Sequence, residues 1–292
     1  MGSKPALAVL VLACLLPGKA LAQPAMDADA WLPASAPSDG LFVFAAPAGG
    51  GWLSAGFGWC KDLLRTEGGP APRVEQRLRA ELSAGASLAD NVNLEVQTAF
   101  VPWQSGSRTD SVGIARGLEA GFADTWIGVR ASGKWHGGTK LGVLAGLRLP
   151  SSSQEALAGD PGWGSRIGAT FEYESGWQRL ALSAILVART RTRFRQLFWD
   201  DGLFFGAALW LGPPGWPARP FLEFAAELPA HRPASAGTRL QVAGGAALDF
   251  GRLRLLVGGG RAIHGLLTPS WRIMARASLT LEPSGGDNSA DE

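Results

Sequence analysis

Along about a dozen separate stretches between residues 51 and 281, apolar and polar residues alternate one by one. A chain with that period presents one apolar and one polar face only if it is extended, so these stretches read as β-strands. Val92, Leu94, Val96 and Phe100 alternate with Asn93, Glu95 and Gln97; Leu78, Ala80, Leu82 and Ala84 alternate with Arg77, Arg79, Glu81 and Ser83. Trp271, Ile273, Ala275, Ala277, Leu279 and Leu281 do the same against Arg272, Met274, Arg276, Ser278 and Thr280. The pattern predicts strands at 51–60, 74–86, 92–101, 123–132, 139–149, 165–174, 177–189, 202–211, 219–228, 239–249, 252–261 and 270–281, with no sustained amphipathic helix between them.

Each stretch is close to the roughly 9–11 residues that a tilted strand needs to cross a bilayer. The connections alternate too. Those after every second strand are short (Ala89-Asp90-Asn91, around Gly133-Lys134, Ser175-Gly176, Pro213-Pro214-Gly215, Phe250-Gly251), while the others are mostly longer and more polar. A soluble sandwich has no reason to sort its loops by end, whereas an outer-membrane barrel has short periplasmic turns and long outer loops. The fold class read from the chain is therefore all-β: a transmembrane, antiparallel up-and-down β-barrel of about twelve strands.

Composition agrees. Only 18% of the residues are charged although 46% are apolar, against roughly 25% charged in a soluble globular protein. Of the twelve tryptophans, Trp59, Trp103, Trp163, Trp177, Trp199, Trp216 and Trp271 fall at strand ends or in connections, the place of an aromatic girdle at the headgroup level. The opposite rows carry Glu75, Arg77, Arg79, Glu81, Glu95, Arg272 and Arg276 among small residues, which suits a narrow, salt-bridged lumen. Arg272 and Arg276 are expected to meet Glu75 and Glu81 across the first strand, where Gly56 and Gly58 leave room.

The N-terminus has the form of an export signal. Lys4 precedes the apolar run Ala6–Leu16, Pro17-Gly18 breaks it, and Ala20-Leu21-Ala22 supplies the small residues a signal peptidase needs, so cleavage is expected after Ala22. Removing residues 1–22 takes Lys4 and Lys19 from 27 basic residues and none of the 25 acids, leaving a neutral chain of 25 and 25. That balance excludes the clustered basic footprint of a nucleic-acid binder. The expected organisation is a signal peptide at 1–22, a Pro-interrupted periplasmic linker at 23–49, the barrel at 50–281 and an acidic tail at 282–292. Cys60, the one cysteine after the signal, has no internal disulfide partner and reads as a small buried hydrophobe.

Motifs for catalysis are missing. Gly128–Lys134 fits G-x-x-x-x-G-K but continues with Trp135 where a phosphate loop needs Ser or Thr, and it lies on a strand and turn rather than before a helix. His136, His231 and His264 are single and fall in turns or loops, so they specify neither a metal site nor a Ser-His pair. No cofactor is expected, and no catalytic, cofactor-binding or metal-binding residue is assigned.

The segment Gly121-Phe122-Ala123-Asp124-Thr125-Trp126-Ile127-Gly128-Val129-Arg130 has the form G-x-x-D-x-x-[hydrophobic]-G-x-[KR]. It resembles a segment of outer-membrane barrels assigned as transporters of the phenol-degradation MetA-pathway type, and barrels similar to these precede OmpA-type peptidoglycan-binding domains. Gly85–Val96 and the stretch from Gly258-Gly259-Gly260 through Thr268–Arg272 agree with that resemblance, which spans roughly residues 50 to 281. It implies a barrel and a transport role. The reading is an outer-membrane, non-enzymatic, porin-like barrel that passes small solutes or is closed and structural. Its partners are outer-membrane lipid, a small solute and the outer-membrane assembly machinery, with no nucleic acid. The rival readings are a membrane-embedded lipid-modifying enzyme and a soluble periplasmic ligand-binding β-protein.

Overall fold

The computed structural model describes residues 34, 36, 38–45, 50–62, 73–107, 120–152, 159, 162–190, 192–194, 197–199, 201–230, 238–265 and 269–281. The expected signal peptide, His231 and the acidic tail lie outside them. Twelve barrel strands follow in chain order: β1 (Gly51–Lys61), β2 (Arg73–Ala89), β3 (Val92–Ser107), β4 (Thr125–Lys134), β5 (Thr139–Leu149), β6 (Gly164–Ser175), β7 (Gln178–Ala188), β8 (Gly202–Leu211), β9 (Ala218–Pro229), β10 (Arg239–Phe250), β11 (Leu253–His264) and β12 (Trp271–Leu281). Each pairs antiparallel with its sequence neighbours, and β12 returns to β1 from Gly51↔Leu281 to Lys61↔Trp271, closing the sheet into a ring. Closure leaves no sheet edge, the condition for strands in hydrocarbon. Outside the ring, Gly121–Phe122 adds a two-residue strand to Phe100 and Val101 of β3, and Thr192–Phe194 pairs with Leu197–Trp199 in the β7–β8 connection.

The short turns owe their form to backbone that only glycine adopts cheaply. Gly176 (φ 49°) and Gly251 (φ 66°) each occupy the first position of a two-residue hairpin loop. Positive φ there matches the twist of the flanking strands. The start of β1 lies at this short-turn end, since Trp52 pairs with Gly85 near the β2–β3 turn.

Side chains sort by face along every strand. Leu53 and Phe57 of β1, Val143 and Leu147 of β5, Leu182 and Leu186 of β7, Leu222 and Phe224 of β9, and Ile273 and Leu279 of β12 are exposed on the outside. Arg130, Arg148, Arg166, Glu172, Glu223, Arg239 and Arg272 are buried on the inside. This is a soluble barrel turned inside out, with the large apolar surface outward where the medium must be lipid rather than water.

The lumen holds more than the side chains of its wall. Ala34, Ala36 and residues 38–45, expected to belong to a linker, lie inside it: the residues from Leu41 to Ala45 are 0–2% exposed and pack against Leu144, Ile185, Phe204, Trp210, Phe221 and Leu256 of the wall. The linker reading is corrected for these residues. Leu41-Phe42-Val43-Phe44-Ala45 is five apolar residues in a row, and the inside of the ring buries them.

Candidate functional site in the barrel lumen

The inserted segment is a compact loop organised by one carboxylate. The amides of Ala36 and Ala45 donate to Asp39 at 2.8 and 2.7 Å, the amide of Asp39 donates to the Ala36 carbonyl at 2.9 Å, and that of Gly40 to the Val43 carbonyl at 2.9 Å. The wall then grips it at four points. Arg130 Nη1 on β4 donates to both Asp39 oxygens at 2.9 and 2.8 Å, and Glu223 on β9 accepts the amides of Leu41 and Phe42 at 2.7 and 2.9 Å. Arg179 on β7 donates to the Ser38 carbonyl at 2.9 Å, while Arg276 on β12 donates to the Asp39 carbonyl at 2.8 Å and to that of Ala34. Buried backbone groups of an irregular segment must find partners, and here strand side chains provide them.

Shape complements these bonds. A Cβ on Gly40 would overlap the Glu223 carboxylate, so only glycine lets the loop come so close. Wall glycines receive the apolar side chains: a Cβ on Gly258 would stand 2.9 Å from Leu41 Cδ1, and one on Gly206 would stand 3.1 Å from Val43 Cγ2. Guanidinium groups lie against the segment's rings, with Arg130 4.7 Å and Arg166 5.3 Å from Phe44, and Arg272 5.2 Å from Phe42. Such contacts are attractive where water is excluded.

The wall holds its own ion pairs. Glu95 on β3 bridges two cations, Arg130 Nε and Arg166 Nη2, each at 2.7 Å. Glu172 pairs with Lys140 at 3.1 Å and Arg179 at 2.8 Å, Arg148 with Asp124 at 3.5 Å, and Glu227 with Arg189 and with Arg239 at 3.5 Å. In a dry lumen these pairs need each other, because an ion left alone there loses hydration worth several kcal/mol.

No family model matches this chain, and a search of the curated proteins finds no match. Solved structures do match. An outer membrane channel from Pseudomonas putida F1 superposes with a TM-score of 0.64 at 14% identity, covering 81% of this chain and 97% of that one. The KdgM porin in complex with disordered oligogalacturonate gives 0.51 at 7% identity, covering 79% and 99%. The chain has the fold of outer-membrane β-barrels.

The residues singled out from sequence distribute unevenly in that barrel. Arg77, Glu95, Arg272 and Arg276 are buried in the lumen, and Arg79 and Glu81 lie there half-buried as a 3.0 Å pair on one strand. Arg77 donates through Nε and Nη2 to Gln104 on β3 at 3.0 and 2.8 Å. Glu75 parts from the set. A register shift between Val74 and Gln76 turns Val74 inward and leaves Glu75 exposed, so Glu75 drops out of the expected cluster. Glu81 and Arg276 stand on either side of Gly56 and attract each other across the first strand, and Arg276 holds the inserted loop as well. Cys60 is buried against the lumen, opposite Arg77 and Arg272, with its thiol 3.7 Å from the Arg77 carbonyl.

The tryptophans fall at both ends. Trp59 and Trp271 meet edge to face at 4.5 Å where β1 ends and β12 begins, and Trp103 and Trp163 are exposed at that same long-loop end. Trp177 and Trp216 meet edge to face at 5.0 Å across two short turns. The side chain of Trp199 lies outside the described residues. His136 and His264 are exposed, and among the described residues no group of His, Cys, Asp or Glu could hold a metal.

The segment Gly121–Arg130 acquires a physical reading. Asp124 pairs with Arg148, Gly128 makes room for Glu95, whose Oε1 would lie 3.2 Å from a Cβ there, and Arg130 reaches the inserted loop. Sequence reasoning missed Asp39 and Gly40 as site residues; the signal for them was the apolar run Leu41–Ala45 in a segment otherwise rich in Pro, Ala, Asp and Ser. Glu223 falls on the polar, lumen-facing row of the strand expected at 219–228, which places it inside without naming its partner.

Proposed function

We propose that the protein is an outer-membrane channel for small solutes, shut in this conformation by the loop of residues 38–45. The observation that carries the reading is that a tethered loop lies in the lumen among the ion pairs of the wall. Small residues line the wall where the loop sits (Ala181, Gly206, Ala208, Ala225, Ala243, Ala247 and Gly258), so with the loop withdrawn a passage lined by arginine and glutamate is left. A barrel serving only as a scaffold has no need of such hollows. The apolar outer rows, the tryptophans at both ends and the export signal support the location. The likeness to MetA-pathway-type transporters belongs to this proposal and rests on the Gly121–Arg130 segment.

Single-channel recording in planar bilayers tests it. The wild-type protein should conduct in small or infrequent steps. Gly40→Leu, which cannot seat beside Glu223, and Arg276→Ala, which releases the carbonyls of Ala34 and Asp39, should lengthen or enlarge them. Variants that assemble, shown by faster migration on unheated than on heated detergent gels, yet carry no current would establish a closed structural barrel instead.

A further inference from the structure

We infer that the lumen carries a binding site for small organic carboxylates at Arg130 and Arg166, a site that Asp39 occupies in the shut conformation; the inference rests on the channel reading above. Charge is the first ground. Nine arginines of the barrel strands are buried in the lumen against four glutamates. The half-buried charges on or next to the strands, Arg79, Lys140, Arg189 and Arg254 against Asp62, Glu81, Asp124, Glu174, Asp201 and Asp249, take two from that excess of five and leave three.

Local geometry is the second ground. Glu95 is shared, one oxygen to Arg130 and the other to Arg166, both at 2.7 Å, so these two guanidinium groups have one carboxylate from the wall. Asp39 supplies the second, 2.8 Å from Arg130 Nη1. Withdrawal of the loop leaves two cations around one anion in a confined space, an arrangement that a solute carboxylate completes through the same charge-assisted hydrogen bonds.

The flanking surface narrows the class. Beside the Asp39 carboxylate, the Phe44 ring lies against both guanidinium groups, and from the wall the Trp126 ring stands 4.8 Å from Arg166. Asp39 and Phe44 together imitate a carboxylate joined to a flat apolar body. Phe44 leaves with the loop but Trp126 stays, so a solute of that form has both an ionic and a stacking partner.

Benzoate and benzamide, alike in shape but not in charge, are the probes. In planar bilayers under a KCl gradient, Asp39→Asn should give a reversal potential on the chloride side. Benzoate should reduce the chloride current at about tenfold lower concentration than benzamide, the discrimination of one charge-assisted hydrogen bond. Adding Arg130→Gln to that background should erase the difference between the probes. In the wild-type chain, which needs no variant to assemble, benzoate should raise the open fraction by competing with Asp39, and benzamide should not. Potassium preference, or equal action of the two probes, overturns the carboxylate site and leaves the channel reading intact. Absence of current from the wild type and from every assembled variant overturns both.

Discussion

The outer and inner faces of the same twelve strands obey different rules. Outside, one residue in two meets a uniform medium, and Leu53, Leu147, Leu182 and Ile273 need only be apolar. Inside, each side chain is defined by particular partners: Glu95 by Arg130 and Arg166, Glu223 by the amides of Leu41 and Phe42. The outer face is therefore set by a period and the inner face by a network. Substitution outside should cost according to depth in the membrane, and substitution inside according to what is left unpaired.

The largest effect should come from breaking the network. Glu95→Ala takes from Arg166 its 2.7 Å carboxylate and leaves Arg130 with Asp39, so it should lower unfolding stability in denaturant titrations by about 3–5 kcal/mol. Glu95→Gln keeps the shape but also removes the charge, so it should cost more than a neutral swap on the outer face. A benign Glu95→Ala would mean that the inner face is as permissive as the outer one. Next, Leu182→Arg places a charge on the outward row midway along β7 and should cost about 2–4 kcal/mol near the bilayer midplane. If the loss at Leu182 matches that of a like substitution at a strand end, the depth rule is wrong. The smallest effect belongs to the girdle: a double-mutant cycle on Trp177 and Trp216 should give a coupling of about 0.5–1.5 kcal/mol, as expected of an edge-to-face pair. No measurable coupling would mean that the two rings meet without attraction in solution.

This contrast also explains what could be read from the chain. Period two located the strands, two of them to the residue (139–149 and 202–211 expected, Thr139–Leu149 and Gly202–Leu211 observed), because the outer face depends on each residue alone, whereas β3, expected at 92–101, runs on to Ser107. Glu75 was misplaced because a bulge between Val74 and Gln76 shifts the phase without leaving a mark in composition. The short hairpin Thr192–Phe194/Leu197–Trp199 was hidden in a connection whose polarity reads as loop. The inserted loop was hidden more deeply. Its partners Arg130, Arg179, Glu223 and Arg276 lie 91 to 237 residues away from Asp39 or its neighbours in the chain, and no local period encodes such meetings.

Arg276 belongs to β12, the last strand made, whereas the carbonyls it holds belong to Ala34 and Asp39, made before the first strand. During synthesis and insertion the loop therefore has no hold from that side until the sheet is complete. The Arg276 clasp and the closing of the ring come together, and a chain stopped short of residue 276 has a bare β1 edge and a loop held by β4, β7 and β9 alone.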